Sequence, residues 1–239
     1  MSMASHDLSN SLMTLQISFE MLAATINPND DQKKKMDFIS ASITQISRLI
    51  GDLVDWASIE QGKFRLEKNY FEMDKMVEEM VVGPRGRSQQ KNIEIAVQVA
   101  AGLKMVCADK RRIGQVLLNL LENAIRHTQR GGKITVFVSP LEDNVCVSVT
   151  DNGEGIDPEV LPKLGQSFYQ PAGGKSPHGR LGLGLSISKE IVQSHDGRII
   201  VESEGVGKGS SFKFVIPFAK EPPPPDAQKG AQQAGGEKH

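Results

Sequence analysis

Two runs of heptad-spaced apolar residues, separated by a short polar stretch with a proline, constrain the first quarter of this chain more than any other feature. Leu8, Leu12, Leu15, Phe19, Leu22 and Ile26 recur at intervals of four, three, four, three and four. That is the spacing of one continuous seam along a helix. The residues "NPNDD" at 27–31 then interrupt it with a proline and side chains favoured at helix starts. A second seam follows in Met36, Ile39, Ile43, Ile46, Ile50 and Leu53. The pattern predicts two long helices joined by a short turn, a helical hairpin over 1–60. One stripe per helix is poorly buried by a hairpin alone. Pairing two hairpins into a four-helix bundle buries both, so a homodimer is expected.

Beyond residue 60 the period changes. Residues 61–72 have no clean pattern and read as a connector. The segments "IEIAVQV" (93–99), "KITVFVS" (133–139), "NVCVSVT" (144–150), "RIIVESE" (198–204) and "SFKFVIP" (211–217) alternate or run β-branched, as strands do. Helical periods fill 73–82, 109–127 and 183–195, with "VVGPRGR" at 81–87 expected to break the first of them. Residues 73–219 therefore read as an α/β domain, which makes the whole chain α+β. The tail 220–239, with four consecutive prolines and then Gly, Gln and Lys, has the composition of a disordered segment.

Composition excludes several function classes. Lysine plus arginine (28) nearly cancels aspartate plus glutamate (29), which gives no support to sequence-independent nucleic-acid binding. No apolar run approaches the ~18–20 residues of a membrane span, and no signal peptide precedes His6. Cys107 and Cys146 lie far apart without histidines at ligand spacing, so neither a zinc site nor a disulfide framework is expected. A reducing, cytoplasmic setting fits this cysteine usage.

Five local features carry chemistry. On a helix turning about 100° per residue, the first seam lies roughly 160–240° from His6, which places His6 opposite the buried stripe. Asn10 is one turn further on the same face, and Asp7 flanks the histidine. A carboxylate beside an imidazole can keep the ring in a nucleophilic tautomer and take the departing proton; a plain solvated histidine is the alternative. In "QVLLNLLENAIRHT" (115–128), apolar residues gather on one side while Asn119, Glu122, Asn123 and Arg126 gather on another. Asparagine carbonyls suit a hard, hydrated Mg²⁺, and Arg126 suits phosphates. In "TDNGEGID" (150–157), Asp151 can accept from the exocyclic amine of adenine, with Gly153 and Gly155 allowing close approach to a flat ring. "GRLGLGLSISKEIV" (179–192) sets Gly182 and Gly184 before a helix whose first amides can hold phosphate oxygens. It lacks the Gly-Lys-Ser/Thr of a P-loop and follows no strand, so it is not a Rossmann turn. "GVGKGSSF" (205–212) is a glycine turn, with Ser210, before the last strand.

Taken in order, "SHDLSNSL", "NLLENAIRHT", "DNGEGI", "SFY", "GLGL" and "GKGSSF" resemble the catalytic core of a sensor histidine kinase over roughly residues 3–218. The resemblance implies a dimerisation and phosphotransfer hairpin joined to an ATP-binding sandwich of the histidine kinase, gyrase and Hsp90 type. It implies His6 as phosphoacceptor, Asp7 as its acid/base partner, and Asn10 as the residue that helps orient water when the partner regulator is dephosphorylated. It further implies Asn123 as Mg²⁺ ligand with Asn119 nearby and Asp151 as adenine reader. Phe168 and the segment 160–181 would form a lid over ATP, and Gly182 and Gly184 would lie on the phosphate side. Arg126, Gly153, Gly155 and Ser210 are counted with the nucleotide contacts. The implied reaction is γ-phosphoryl transfer from ATP to His6 and then to an aspartate of a response-regulator receiver domain.

The chain also departs from the family's pattern. Ser11 stands where proline is usual, which implies a stiffer bundle and a shifted balance of kinase and phosphatase states. Gln170 replaces a common arginine. Arg180 takes the place of the first glycine of the lid-end triplet, with Gly179 displaced by one, and either compensates for Gln170 or weakens nucleotide binding. These changes motivate a second reading, a kinase-like scaffold that binds a receiver domain without autophosphorylating. A clamp ATPase would carry a glutamate base four residues before the magnesium asparagine. Asn119 stands there instead, and Glu122 directly precedes Asn123.

Overall fold

The computed structural model describes residues 3–169 and 181–221, with side chains from Asn10 onward. By its contacts the chain divides into two units, residues 1–64 with 165–187 and residues 65–164 with 188–239.

The first unit is built on the two seams. Helix α1 (Met3–Thr25) and helix α2 (Asp30–Glu60) pack on one another, and α1 runs unbroken through Ser11. Asn29 starts α2 with a reciprocal cap. Its side chain accepts from the Gln32 N–H (2.9 Å), while its own N–H donates to Gln32 Oε1 (3.0 Å). Asp30 and Asp31 in the first turn complement the helix dipole. On the single chain much of the seam stays uncovered: Leu15, Leu22, Ile39, Ile46 and Leu53 are 51%, 55%, 43%, 46% and 46% exposed. Among the described residues no helix is long and apolar enough to cross a membrane.

The second unit is a sheet with helices over one face. Strands β2 (Glu94–Val99), β4 (Lys133–Leu141), β5 (Asn144–Asp151), β6 (Arg198–Glu202) and β7 (Ser210–Pro217) form one sheet in the order β2-β4-β5-β7-β6. The β2–β4 pair is parallel and the others antiparallel. Alternate residues Ile134, Val136, Val138, Val145, Val147, Val149, Phe212, Phe214 and Ile216 are buried, the period-2 signature of one covered face. Helices α3 (Met73–Gln90) and α4 (Lys110–His127) bury their own apolar stripes. They approach closely at Gly114, where a Cβ would lie 3.2 Å from Met80 Sδ. Helix α5 (Gly184–Gln193) buries Ile187, Ile191 and Val192.

Two features differ from the sequence expectation. "VVGPRGR" does not end α3, which continues to Gln90 with Pro84 inside it. Proline removes one backbone hydrogen bond. Met76, Val77, Val81, Pro84 and Ser88 are nevertheless all buried, at spacings that keep one face of the helix inward through the proline. The short strands β1 (Asn69–Phe71) and β3 (Val106–Ala108) were not foreseen. They pair antiparallel, so part of the predicted connector is a strand. Residues 222–239 of the predicted tail lie outside the described residues.

Candidate functional site

The chemistry-bearing residues of the second unit gather at one end of α4 and at the loops after β5 and before β7. Helix α4 forms because Asp109 caps it, its Oδ1 accepting the Arg112 N–H at 3.0 Å, and because its apolar residues fall on one stripe. Ile113, Val116, Leu117, Leu120, Leu121 and Ala124 are buried. Asn119, Glu122, Asn123 and Arg126 are half-buried and span an arc of roughly 100° on the opposite side. Asn119 Nδ2 donates to Ser188 Oγ on α5 (3.0 Å), and Arg87 of α3 meets Glu122 at 3.3 Å. Lys91 Nζ donates to the last carbonyls of the helix, those of Ile125 (2.8 Å) and Arg126 (3.1 Å).

Asp151 ends β5 and is 5% exposed. Its Oδ1 accepts the Gly153 N–H at 2.8 Å, and its Oδ2 accepts the Ser210 hydroxyl at 2.6 Å. Ser210 therefore spends its proton on Asp151, directly opposite it in the β5–β7 register. Each carboxylate oxygen keeps a second lone pair, so Asp151 can still accept from an amine.

The glycines here serve the protein's own backbone. A Cβ on Gly153 would sit 2.1 Å from the His127 carbonyl oxygen, and one on Gly155 would sit 2.0 Å from that of Gly205. Gly155 also has φ +67°, a region that favours glycine. At these two positions the side on which a Cβ would project is closed by neighbouring backbone. The 152–156 loop thus locks onto the end of α4 and onto the 203–209 turn. The Glu154 N–H donates to His127 O (3.0 Å), the Gly207 N–H to Glu154 O (2.6 Å), and the Gly209 N–H to Gly153 O (3.2 Å). Sequence reasoning missed Ser203, whose hydroxyl accepts from the Ile156 N–H (3.0 Å) and donates to Gly209 O (2.7 Å). It also missed His127, whose Nδ1 lies 3.1 Å from Glu154 Oε2.

A second hydrogen-bond junction, also unseen in the sequence, joins α4 to the end of α5. The Asp109 N–H donates to Nε2 of His195, 86 residues away, at 2.9 Å. His195 Nδ1 lies 2.8 Å from the Ile191 carbonyl, which can only accept, so the ring is neutral with its proton on Nδ1. Burial pushes its pKa below the ordinary histidine value, against the opposing pull of the Ile191 carbonyl; Lys68 lowers it further, while Asp109 and Asp196 raise it. Asp109 Oδ2 accepts the Glu67 N–H of the connector at 3.0 Å. Burial alone would raise the Asp109 carboxyl. The backbone donors of Glu67 and Arg112, with the Arg111 and Arg112 charges, hold it below the usual carboxylate value.

The remaining predicted residues belong to the first unit. His6 and Asp7 lie in the opening turns of α1 as backbone only, and Asn10 is exposed on the same helix. Phe168 takes a positive φ of 63° and sets its ring against Trp56, edge-on at 5.2 Å between centroids. Gly182 has φ +71°, and Gly184 opens α5. Gln170 and Arg180 lie outside the described residues.

The donor set fits a magnesium nucleotide. Among the described residues no three His, Cys, Asp or Glu side chains come together as a metal cage. A metal here would rest on amide carbonyls, water and phosphate oxygens, the surroundings Mg²⁺ tolerates best.

Comparison with known proteins places both units. Residues 108–220 match the family model for histidine kinase-, DNA gyrase B- and HSP90-like ATPases, and residues 1–62 match the His Kinase A (phospho-acceptor) domain. Histidine protein kinase DivJ of Caulobacter vibrioides is 30% identical over 220 residues, which cover 91% of this chain and 37% of that protein. ShkA, solved full-length in complex with AMPPNP, superposes with a TM-score of 0.74 at 26% identity, covering 91% of this chain and 45% of that one. The nucleotide-free catalytic domain of histidine kinase ThkA gives a TM-score of 0.57 at 32% identity, covering 63% of this chain and 95% of that domain. ThkA has also been solved in complex with the response regulator protein TrrA, where the TM-score is 0.62 at 25% identity, covering 90% of this chain and 60% of that one. The chain spans only 24–37% of the length of the first three curated relatives it matches.

Proposed function

The chain belongs to the histidine kinase family, and from that premise we propose that it is an ATP-dependent protein-histidine kinase that phosphorylates itself on His6. The observation that carries the reading is the buried Asp151. It is held by Gly153 and Ser210 yet keeps lone pairs for an amine, in the same unit as the half-buried Asn119, Asn123 and Arg126.

In this reading residues 73–219 bind ATP, 61–72 connect, and the hairpin 1–60 dimerises and carries the phosphoacceptor. Asp151 accepts from the adenine amine, Gly153 and Ser210 hold it in place, and Gly153 and Gly155 lie on the side of the base. Asn123 would ligate Mg²⁺ with Asn119 beside it, Arg126 is assigned to the phosphates, and Gly182 and Gly184 carry the phosphate-side role of a helix start. Mg²⁺, when bound, neutralises charge on the transferring phosphates. The neutral His6 imidazole attacks the γ-phosphorus, a nitrogen–phosphorus bond forms as the bond to ADP breaks, and Asp7 takes the ring proton. Phe168 and Arg180 belong to the lid segment. The phosphoryl group then passes to a receiver-domain aspartate, and Asn10 helps orient the water that later hydrolyses that aspartyl phosphate to free phosphate. The uncovered seam on α1 and α2 supports a homodimer, and the likeness to ThkA, solved with a response regulator, supports the receiver partner.

Base selectivity tests the Asp151 assignment. Guanine presents a carbonyl where adenine presents an amine, so a carboxylate there repels it. Calorimetric titration should show Mg·ATP binding at least about tenfold tighter than Mg·GTP, the scale of one charge-assisted hydrogen bond gained or lost. Asp151→Ala should abolish that preference. Equal affinity for the two nucleotides in the unmodified protein would sink the assignment.

A further inference from the structure

Ser188 has no place in the reading above. It lies one turn into α5, is 2% exposed, and neighbours the buried apolar residues Ile187, Ile191 and Val192. A hydroxyl among such residues costs stability unless it is hydrogen-bonded, and alanine would serve the packing as well. Its near neighbour Ser186, also buried, donates back to the Leu183 carbonyl (2.8 Å). Ser188 reaches a different helix: its oxygen accepts from Asn119 Nδ2 at 3.0 Å, across 69 residues of sequence.

In this contact the NH₂ end of the Asn119 amide is the end turned to Ser188. An asparagine side chain has a donating NH₂ end and an accepting carbonyl end, of nearly equal size and opposite polarity. Left free on a half-buried helix face, the amide can present either end. With the NH₂ held by a buried hydroxyl oxygen, the carbonyl is the end left available. Asn119 and Asn123 are four residues apart, one turn of α4, and a hydrated Mg²⁺ accepts oxygen donors and is repelled by an NH₂ group. We infer that Ser188 is a positioning residue that fixes the Asn119 amide with its carbonyl committed to the Mg²⁺ shell of the bound nucleotide. The inference rests on the nucleotide reading of α4. It adds that α5, through Ser188, orients a metal-side donor on the facing helix.

Two measurements on the full chain test it, and the first needs no nucleotide. In the nucleotide-free protein the Asn119 side-chain NH₂ resonances, assigned by their loss in Asn119→Asp, should exchange slowly with solvent. In Ser188→Ala they should exchange like those of an exposed asparagine. The second is calorimetric titration with ATP, with and without Mg²⁺. Ser188→Ala should lower the gain in affinity that Mg²⁺ confers by about tenfold, the usual effect of removing a group that orients a metal donor. Metal-free ATP binding should stay within about twofold, and Ser188→Thr, which keeps the oxygen, should restore the gain. An unchanged Mg²⁺ gain in Ser188→Ala overturns the inference. So does an equal loss with and without metal, which marks a merely structural role. Failure of the nucleotide reading itself would appear in the unmodified protein, as absent ATP binding. Failure of the inference alone would appear only in the Ser188 variants.

Discussion

Acidification should weaken the ATP-binding unit through His195, and the size of the effect follows from its surroundings. The ring is 2% exposed, accepts the Asp109 N–H on Nε2, and donates from Nδ1 to the Ile191 carbonyl. A proton on Nε2 would set two donors against each other at 2.9 Å, so the folded protein resists protonation. The unfolded chain does not, since its histidine titrates near 6.5. The sign follows from the depressed folded pKa: stability is complete above about pH 6.5 and falls as pH drops below it, because the unfolded state binds the extra proton. Between about pH 7.5 and pH 5.5 the loss reaches about 1.4 kcal/mol if the buried ring stays neutral throughout. Asp109 acts in a separate window, because its depressed pKa costs stability only as pH falls below the usual 3.8. The assay is urea unfolding followed by amide exchange in α4, which reports this unit alone, for the unmodified protein and His195→Gln. The variant should be weaker at about pH 7.5 but lack the His195 share of the slope. Equal pH slopes in the two proteins would refute the reasoning, as would a His195 titration by NMR at or above 6.5.

Two further outcomes follow from the packing. Gly153→Ala should lower the melting temperature and weaken nucleotide binding together. The new Cβ would meet the rigid His127 carbonyl at 2.1 Å, and overpacking of this kind costs about 1–3 kcal/mol; an unchanged melting curve would contradict the interlocked-loop account. Leu22→Glu and Ile46→Glu change residues 55% and 46% exposed on the single chain, where such changes should matter little. If two hairpins pair, sedimentation should show the dimer of the unmodified protein giving way to monomer, whereas identical sedimentation would remove the bundle.

The parts legible in the sequence were those written in local repeats. The heptad seams gave both hairpin helices, and "NPNDD" their turn, because capping and proline act within a few residues. Alternation gave β2 and β4 to β7, because one face of that sheet is covered and the other is not. Proline misled at residue 84, where the buried face of α3 carries the helix through a lost hydrogen bond. Strands β1 and β3 are three residues each, too short to show a period. The site was legible as residue types and not as wiring. Asn119, Asn123 and Asp151 announce themselves by type and position. The Asp109–His195 and Asn119–Ser188 bonds join residues 86 and 69 apart, which no local pattern encodes. At Gly153 and Gly155 the place of a side chain is taken by the protein's own backbone, a requirement that shows in the sequence only as glycine.

Transfer of γ-labelled phosphate from Mg·ATP to the purified chain tests the central claim most directly, run beside His6→Gln and Asn123→Ala. The account predicts label that is acid-labile and alkali-stable, as on a histidine nitrogen, and absent from both variants. Label retained in His6→Gln, or no label in a protein that still binds Mg·ATP, would contradict it.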